Sequence, residues 1–259
     1  MSNDIIIPEW DTPINVKSLV TTRQGGFSKV PFDSFNLAEH VDDIPQNVKK
    51  NRQQLMMRLP AEPVWLNQIH SNQVVDASRS ATGIDADGSY TTKTDCVSVV
   101  MTADCLPVLM CNRQGTVVAA VHAGWRGLLN GILEQAVDKV LSAGQCQAED
   151  LLIWLGPAIG PEKFEVGNEV RQEFLNKTSL LKTSLLKKSI EQCFTPFNNK
   201  KNKYLADIYQ LAKVRLLHKG IENVCGGNYC TYTEQDKFFS YRRDGKTGRM
   251  ASLIWLENK

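Results

Sequence analysis

Hydrophobic positions in this chain form short continuous runs, and most runs end in glycine, proline or small polar residues. The segment VKSLVTTR (16–23) is rich in β-branched residues and precedes two glycines, which predicts a strand that ends in a turn. The nearly unbroken apolar run CVSVVMTADCLPVLMC (96–111) predicts two buried strands joined by a tight connection, and DLLIWLGPAIG (150–160) predicts another strand. PVWLNQIHSNQVVDA (63–77) predicts two short strands or one bent strand, with His70 near the break.

Helical periodicity follows several of these runs. TVVAAVHAGWRGLLNGILEQAVDKVLSAG (116–144) begins as a buried strand and becomes an amphipathic helix after its glycines, and Gly144 is the expected stop. VGNEVRQEFL (166–175) predicts a helix capped by Asn168. DIYQLAKVRLLHKGI (207–221) predicts a helix with an acidic N-cap and with His218 in its basic last turn. No linker divides these elements, so we expect one domain over residues 1–259.

Three polar or mixed segments are less regular. KTSLLKTSLLKK (177–188) repeats every five residues, a period typical of neither helix nor strand, and is interpreted as a solvated excursion. NNKKNK (198–203) predicts a charged loop. FFSYRRDGKTGRMASLIWL (238–256) predicts two strands around a turn at Asp244 and Gly245.

Composition narrows the class of protein. The 259 residues are 42% hydrophobic and 22% charged, as in ordinary globular proteins, and the net charge of +2 is too small and too dispersed to predict nucleic-acid binding. The first ten residues lack a basic region and carry an apolar run too short for a signal peptide or a membrane span. Seven cysteines without dense spacing predict reduced thiols. We therefore expect a cytoplasmic protein that does not bind membranes.

Three of the candidate metal ligands lie where apolar strand sequence breaks into turn-forming residues: His70 in NQIHSN, Cys105 in TADCLP and His122 in VHAGW. Two imidazoles and a thiolate suit zinc or copper, and three protein ligands leave a fourth position open. Spacing alone leaves a second interpretation open, in which Cys105 is a buried apolar residue and each histidine is an ordinary hydrogen-bonded residue.

A family resemblance bears on this choice. The segments that carry it are NLAEHVDD, WLNQIHSNQVV, DADGSYTTKTDCVSVVMTADCLPVLMCN, VAAVHAGWRG, WLGPAIGPEKFEVG, YLADIYQLA and FFSYRRDGKTGRM. Together they resemble the bacterial laccase-domain family, whose members are called polyphenol oxidase, peptidoglycan editing factor or purine nucleoside phosphorylase. The resemblance implies that His70, Cys105 and His122 bind zinc. It also implies an α+β fold of four layers, α/β/β/α, with mixed sheets, similar to the catalytic domain of the cytotoxic necrotizing factors.

The activity that the resemblance implies is zinc-dependent phosphorolysis of purine nucleosides, namely adenosine, inosine, guanosine and methylthioadenosine. His70, Cys105 and His122 would then be the catalytic group, with one zinc ion per chain, and the partners would be purine nucleosides and phosphate. An open zinc position can also deliver hydroxide to C6 of adenine, so adenosine deaminase activity is expected as well. The sequence leaves the oligomeric state open.

Several further residues are candidates for contact with the substrate. HAGWRG (122–127) offers glycine amides before a helix, with Arg126 beside them, as an anion cradle, although such turns also occur without ligands. Arg23, His40 and Arg242 are weaker candidates. The remaining candidates are Tyr241 or Phe239 for stacking on a purine, Asp104 for orienting a histidine, and Arg243, for which a solvated position is expected.

Alternative activities remain at this stage. A multicopper laccase needs a blue-copper site and a histidine-rich cluster, which four histidines without an H-x-H pair do not supply. His70, Cys105 and His122 could still bind one copper ion, with Met101 or Met110 as an axial ligand, and act as a copper-dependent polyphenol oxidase. A metal-free cysteine hydrolase would use Cys105 as nucleophile and His122 as base. A role as an editing factor for peptidoglycan precursors is the fourth possibility.

Overall fold

The structure is a computed structural model that describes residues 5–179, 184–197 and 200–258. Its strands are β1 (Ile5–Ile6), β2 (Val16–Thr21), β3 (Val74–Asp76), β4 (Gly88–Thr91), β5 (Ser98–Thr102), β6 (Leu106–Asn112), β7 (Val118–Ala123), β8 (Leu151–Leu155), β9 (Glu165–Gly167), β10 (Phe194–Pro196), β11 (Lys203–Ala206), β12 (Val224–Gly226) and β13 (Met250–Leu256). Its helices are α1 (Pro45–Met56), α2 (Trp125–Asn130), α3 (Ile132–Gly144), α4 (Asn168–Ser179), α5 (Ser184–Gln192), α6 (Ile208–His218) and α7 (Tyr241–Asp244).

Two sheets form the centre of the molecule. One has four strands in the order β1-β2-β13-β5, all antiparallel. The other has six strands in the order β12-β8-β6-β7-β4-β3, in which the outer pairs β12/β8 and β3/β4 are parallel and the inner pairs are antiparallel. A small antiparallel sheet, β10-β11-β9, lies outside them. The sheet system is therefore mixed.

Three of the four apolar cores formed by the described residues define the layers. Leu109, Trp154 and Ile254 belong to the core between the six-stranded and four-stranded sheets. The opposite face of the six-stranded sheet packs against α2, α3 and α6, and the opposite face of the four-stranded sheet packs against Leu55 of α1. This arrangement confirms the predicted α+β fold with an α/β/β/α order of layers. The likeness to the cytotoxic necrotizing factors and the single domain over residues 1–259 stay predictions.

Strand β6 explains why the central apolar run does not alternate in hydrophobicity. Leu106, Val108 and Met110 face the helices, whereas Leu109 and Cys111 face the other sheet. Successive side chains of a strand point to opposite faces, and both faces of β6 are covered. A continuous apolar run is therefore the pattern that this strand requires.

The predicted tight connection between β5 and β6 is confirmed, and through it the chain passes from one sheet to the other. β5 ends in the four-stranded sheet, and β6 begins after three intervening residues in the six-stranded sheet. Asp104, at the middle of this connection, has a φ of +96°. Its carboxylate accepts hydrogen bonds from Thr231 Oγ1 at 2.6 Å and from the Arg242 backbone amide at 2.6 Å. These bonds hold Cys105 where the two sheets come together.

The predicted strand-to-helix unit over 116–144 is confirmed, but its helix is interrupted. Gly131, at φ +89°, separates α2 from α3. Gly144 is the last helical residue, and Gln145 adopts the left-handed cap at φ +49°, so the predicted stop was wrong by one position. A Cβ at position 144 would lie 2.6 Å from Val117 Cγ1, so close packing on the neighbouring chain requires this glycine.

Two segments differ from their prediction because local interactions override the pattern. The repeat over 177–188 was expected to be irregular, but Ser179 ends α4 and residues 184–192 form α5, while 180–183 lie outside the described residues. Its five-residue period spans the end of one helix and the start of the next. FFSYRR is not a strand: Ser240 accepts a hydrogen bond from the Arg243 amide and starts the one-turn helix α7.

The other predicted elements are found close to their expected bounds. β2, β8 and β13 are present, and α6 is capped by Asp207, which accepts a hydrogen bond from the Gln210 amide at 2.9 Å. Helix α4 begins at Asn168, and His218 ends α6 as predicted. Only the end of the 63–77 segment is a strand, namely β3. Lys203 of the predicted charged loop opens β11, and residues 198 and 199 lie outside the described part of the chain.

The seven cysteines are free thiols, as expected. Within the described ranges, no helix has both the length and the apolar character needed to cross a membrane.

Candidate metal centre and active-site cleft

The ends of two adjacent strands bring the predicted metal ligands together. Cys105 immediately precedes β6 and His122 lies near the end of β7, and these strands are antiparallel neighbours with Pro107 opposite His122. His70 lies on the turn before β3, at φ +59°. The three ligand atoms lie within 4.8 Å of one another. The structure thus places in one group three residues that are far apart in sequence.

The geometry of this group fits a metal ion. Zinc–nitrogen and zinc–sulfur bonds of about 2.0 and 2.3 Å at a tetrahedral angle imply a sulfur-to-nitrogen distance of about 3.5 Å. Cys105 Sγ lies 3.8 Å from His70 Nε2. No other histidine, cysteine or acidic residue in the described part of the chain belongs to the group, so these three residues alone would hold the ion.

A buried carboxylate that sequence reasoning missed supports both histidines. Asp87 Oδ1 accepts a hydrogen bond from His122 Nδ1 at 2.7 Å, which leaves His122 Nε2 free as a ligand. Asp87 also accepts hydrogen bonds from the backbone amides of His70 at 3.0 Å and Ser71 at 2.5 Å. Asp104 was the sequence candidate for an acid/base group or for this orienting role, with a turn residue that accepts backbone hydrogen bonds as the alternative. The structure agrees with the alternative, because Asp104 accepts hydrogen bonds from Thr231 and from the α7 backbone. The motif DADG before β4 was the available signal.

Charges within the group are strongly coupled. Burial opposes ionisation of both side chains, yet the neighbouring imidazoles, chiefly that of His122, lower the pKa of Cys105 to about 6. The thiolate of Cys105, together with Asp87, outweighs burial and raises the pKa of His122 to about 9. Without a metal, the pair therefore favours a thiolate beside an imidazolium. Metal binding would displace that imidazolium proton, since a histidine ligand must be neutral.

Gly124 makes room for this group. It follows β7 and precedes α2, directly opposite Cys105 on the neighbouring strand. A Cβ at this position would lie 2.9 Å from His70 Cδ2 and 3.2 Å from Cys105 Sγ. The glycine in VHAGW is therefore required by the close approach of two ligands, independently of any helix start.

Two cavities meet at the metal ligands. They share a wall formed by His70, Ala103, Cys105 and Tyr241. We call the larger cavity, of about 370 Å³, the polar lobe; its other lining residues are His40, Gln68, Met101, Thr102, His122 and Arg249. We call the smaller cavity, of about 220 Å³, the aromatic lobe; its lining includes Trp125, Arg126, Ile159, Phe164, Ile208 and Arg242.

The predicted substrate contacts are divided between these lobes, with one exception. His40 lines the polar lobe, and Arg126 and Arg242 line the aromatic lobe. Arg23 lines neither lobe. Its guanidinium donates hydrogen bonds to the carbonyl groups of Asp33 at 2.9 Å and Gln235 at 3.1 Å, so its placement argues for a loop-tethering role and against substrate contact.

The remaining candidate residues differ in whether they line the cleft. Phe239 is fully buried and cannot stack on a substrate, whereas Tyr241 is 62% exposed on the wall that the lobes share. Arg243 is not solvated as expected, because it donates hydrogen bonds to three backbone carbonyls of the neighbouring loops. Met110 lies in the helix-facing core, whereas Met101 lines the polar lobe. Sequence analysis did not single out Arg249 as a residue of the cleft.

The fold and the site define a class: an α/β/β/α protein with one His2Cys group at the meeting point of two cavities. Residues 17–257 match the sequence profile of the family described as "Multi-copper polyphenol oxidoreductase laccase". The chain belongs to this family, which confirms the resemblance seen in the sequence motifs.

Similarity to individual relatives extends over nearly the whole chain. A purine nucleoside phosphorylase of Pseudomonas aeruginosa is 46% identical, covering 99% of this chain and 100% of the relative. The purine nucleoside phosphorylase YfiH of Escherichia coli is 48% identical, covering 97% and 98%. The crystal structure of a Neisseria meningitidis protein matches with a TM-score of 0.88 and 43% identity, covering 98% and 100%.

Proposed function

We propose that this protein is a zinc-dependent purine nucleoside phosphorylase that acts on adenosine, inosine, guanosine and methylthioadenosine. The observation that carries the proposal is its identity of 46–48% with relatives of that name, over nearly their full length. The cleft supports it, because two cavities of about 370 and 220 Å³ on either side of the His2Cys group offer room for two reactants. A cytoplasmic location remains a prediction.

Zinc is the metal that we propose. The described residues form one group of three potential metal ligands, whereas a multicopper oxidase needs several copper sites. Two imidazoles and a thiolate with an open position match the general plan of catalytic zinc sites, which have three protein ligands from this set of residue types. Copper stays the alternative metal because Met101, which lines the polar lobe, offers a thioether near the same ligands.

Phosphorolysis exchanges one bond for another at the anomeric carbon. The bond from C1′ of the ribose to N9 of the purine breaks, and a bond from C1′ to a phosphate oxygen forms. The electron pair of the broken bond leaves with the purine, which takes up one proton, and hydrogen phosphate gives up one proton overall. A zinc ion, when bound, supplies a Lewis acid that polarises an oxygen at its open position.

The residues of this chain contribute positioning and charge to the proposed reaction. Asp87 holds the proton of His122 on Nδ1 and keeps the second imidazole nitrogen directed at the centre. The same carboxylate fixes the backbone of the His70 turn. Tyr241 lies on the wall that both lobes share with His70 and Cys105. Rigid support of this kind lets a site orient its reactants before the reaction.

The proposal is tested by metal content and product analysis together. Protein purified without chelators or added metals should contain about one zinc ion per chain, and it should release hypoxanthine from inosine only when phosphate is present. Ribose 1-phosphate should form in equal amount. Metal-free protein that still turns over a substrate would contradict the proposal and favour a Cys105 hydrolase with His122 as base. Ammonia release from adenosine tests the predicted deaminase activity separately.

A further inference from the structure

The centre separates two cavities of different chemistry. The four residues of the shared wall include two metal ligands, His70 and Cys105, so each lobe reaches the centre from its own side. A displacement at an anomeric carbon brings the nucleophile to the face opposite the departing base. A site that holds phosphate and purine in separate compartments, with the ribose between them, meets this requirement. The question is which lobe holds which reactant.

The aromatic lobe has the walls that a purine needs. Trp125 is half-buried at its edge, and Ile159, Phe164 and Ile208 are at most 8% exposed. Its two arginines already cover rings, since Arg126 lies 4.3 Å from the Trp125 ring centroid and Arg242 lies 5.7 Å from that of Phe164. Both arginines are exposed to water, which weakens their attraction for an anion. Stacking on aromatic rings is the interaction that this lobe offers best.

The polar lobe contains a cation that is better placed for phosphate. Arg249 is half-buried, and its Nη1 donates to the carbonyls of Thr247 at 2.9 Å and Gly248 at 3.0 Å. Among the described residues, none accepts a hydrogen bond from its Nη2 or Nε. Burial lowers the pKa of Arg249, against the opposing effect of the nearby Cys105, Asp104 and Tyr241. Bidentate binding of phosphate would satisfy this guanidinium.

Two polar side chains lie in the polar lobe with Arg249. Burial and the nearby charges of Arg249 and Arg52 lower the pKa of His40, so this imidazole is kept neutral and can donate a hydrogen bond without requiring a counterion of its own. Gln68 is held in place by hydrogen bonds to both backbone groups of Met101, at 2.8 and 2.7 Å. The polar lobe therefore offers a neutral imidazole and a fixed amide beside the Arg249 guanidinium.

We infer that the purine binds in the aromatic lobe against Trp125 and Phe164, that phosphate binds in the polar lobe at Arg249 and His40, and that the ribose spans the shared wall beside Tyr241. This assignment rests on the proposed phosphorylase activity. It makes Arg249 a determinant of phosphate affinity and Trp125 a determinant of nucleoside affinity. Each residue should have little effect on the affinity for the other reactant.

The test measures the two affinities separately in variants of the holoenzyme. Loss of a charge-assisted hydrogen bond pair in Arg249→Met should raise KM for phosphate by about 10-fold to 100-fold, while KM for inosine changes less than about twofold. Arg249→Lys should recover part of the loss. Trp125→Leu should raise KM for inosine by about 10-fold or more and leave KM for phosphate unchanged. Arg79→Met, at a side chain that is 85% exposed, is the matched surface control.

Calorimetric binding gives a second readout that does not need turnover. Phosphate and hypoxanthine are titrated into wild type, Arg249→Met and Trp125→Leu, and the affinity losses should follow the KM changes. The assignment is overturned if Arg249→Met weakens hypoxanthine binding and Trp125→Leu weakens phosphate binding. It is also overturned if Arg126→Met or Arg242→Met weakens phosphate binding while Arg249→Met does not. A wild-type protein without phosphate-dependent base release contradicts the proposed function instead. The binding data then still decide which lobe takes which ligand, and binding of neither overturns both proposals.

Discussion

One cysteine lies just before strand β6 and another lies near its end, and their comparison shows how this fold separates stability from chemistry. Cys111 is fully buried between the two sheets, where burial raises the pKa of its thiol to about 12. Cys105, six positions earlier, lies beside two imidazoles, and there the pKa falls to about 6. The same residue type is an inert apolar group between the sheets and an acidic thiol, suited to binding a metal, at the start of the strand. Position along the strand decides which.

The largest expected effect is the loss of the metal in Cys105→Ala. Removing the thiolate leaves two ligands, so bound zinc should fall from about one ion per chain to nearly none, and turnover should disappear. Circular dichroism should stay unchanged, because Cys105 does not belong to an apolar core. Cys111→Ala is the matched control: it should cost about 1 kcal/mol of stability and keep the metal. Retained metal and activity in Cys105→Ala would refute the site.

A core substitution should show the opposite pattern. Leu109 has no exposed surface and packs between the two sheets, so Leu109→Ala should lower the free energy of unfolding by about 2–5 kcal/mol. Denaturant unfolding of the holoprotein measures the loss. Metal content of the remaining folded protein should equal that of wild type. A large loss of metal at unchanged stability would show that core and site are not separable in the way that β6 suggests.

Asp87 is expected to have a smaller effect that is specific to metal affinity. Asp87→Asn keeps the size of the side chain but weakens the hydrogen bond to His122 Nδ1, and changes of this kind reduce metal affinity about 10-fold to 100-fold. Competition with a chromogenic chelator measures it. Asp85→Asn, two positions away and exposed, is the control and should bind metal as wild type does. Equal affinities in both variants would leave Asp87 with a purely structural role.

Much of the fold could be predicted from the sequence, because burial of a strand or helix face requires apolar residues at regular positions along the chain. Both faces of β6 are covered, which forces the continuous run over 96–111, and the helical face over 128–141 requires its own period. The errors fell where single interactions decide the backbone. Ser240 and Asp104 convert the expected strand at FFSYRR into α7, and two hydrogen bonds leave no periodic signal.

By itself, the sequence determined the order of the buried strands and the identity of the candidate ligands, because apolar runs and family motifs are local properties of the chain. Only the tertiary structure showed that Asp87 rather than Asp104 supports His122, that Arg23 lies away from the cleft, and that Arg249 lies inside it. In a sequence, one aspartate cannot be told from another by its hydrogen-bond partners, and the same holds for arginines. Their roles depend on which strand ends meet, and packing of the two sheets sets that.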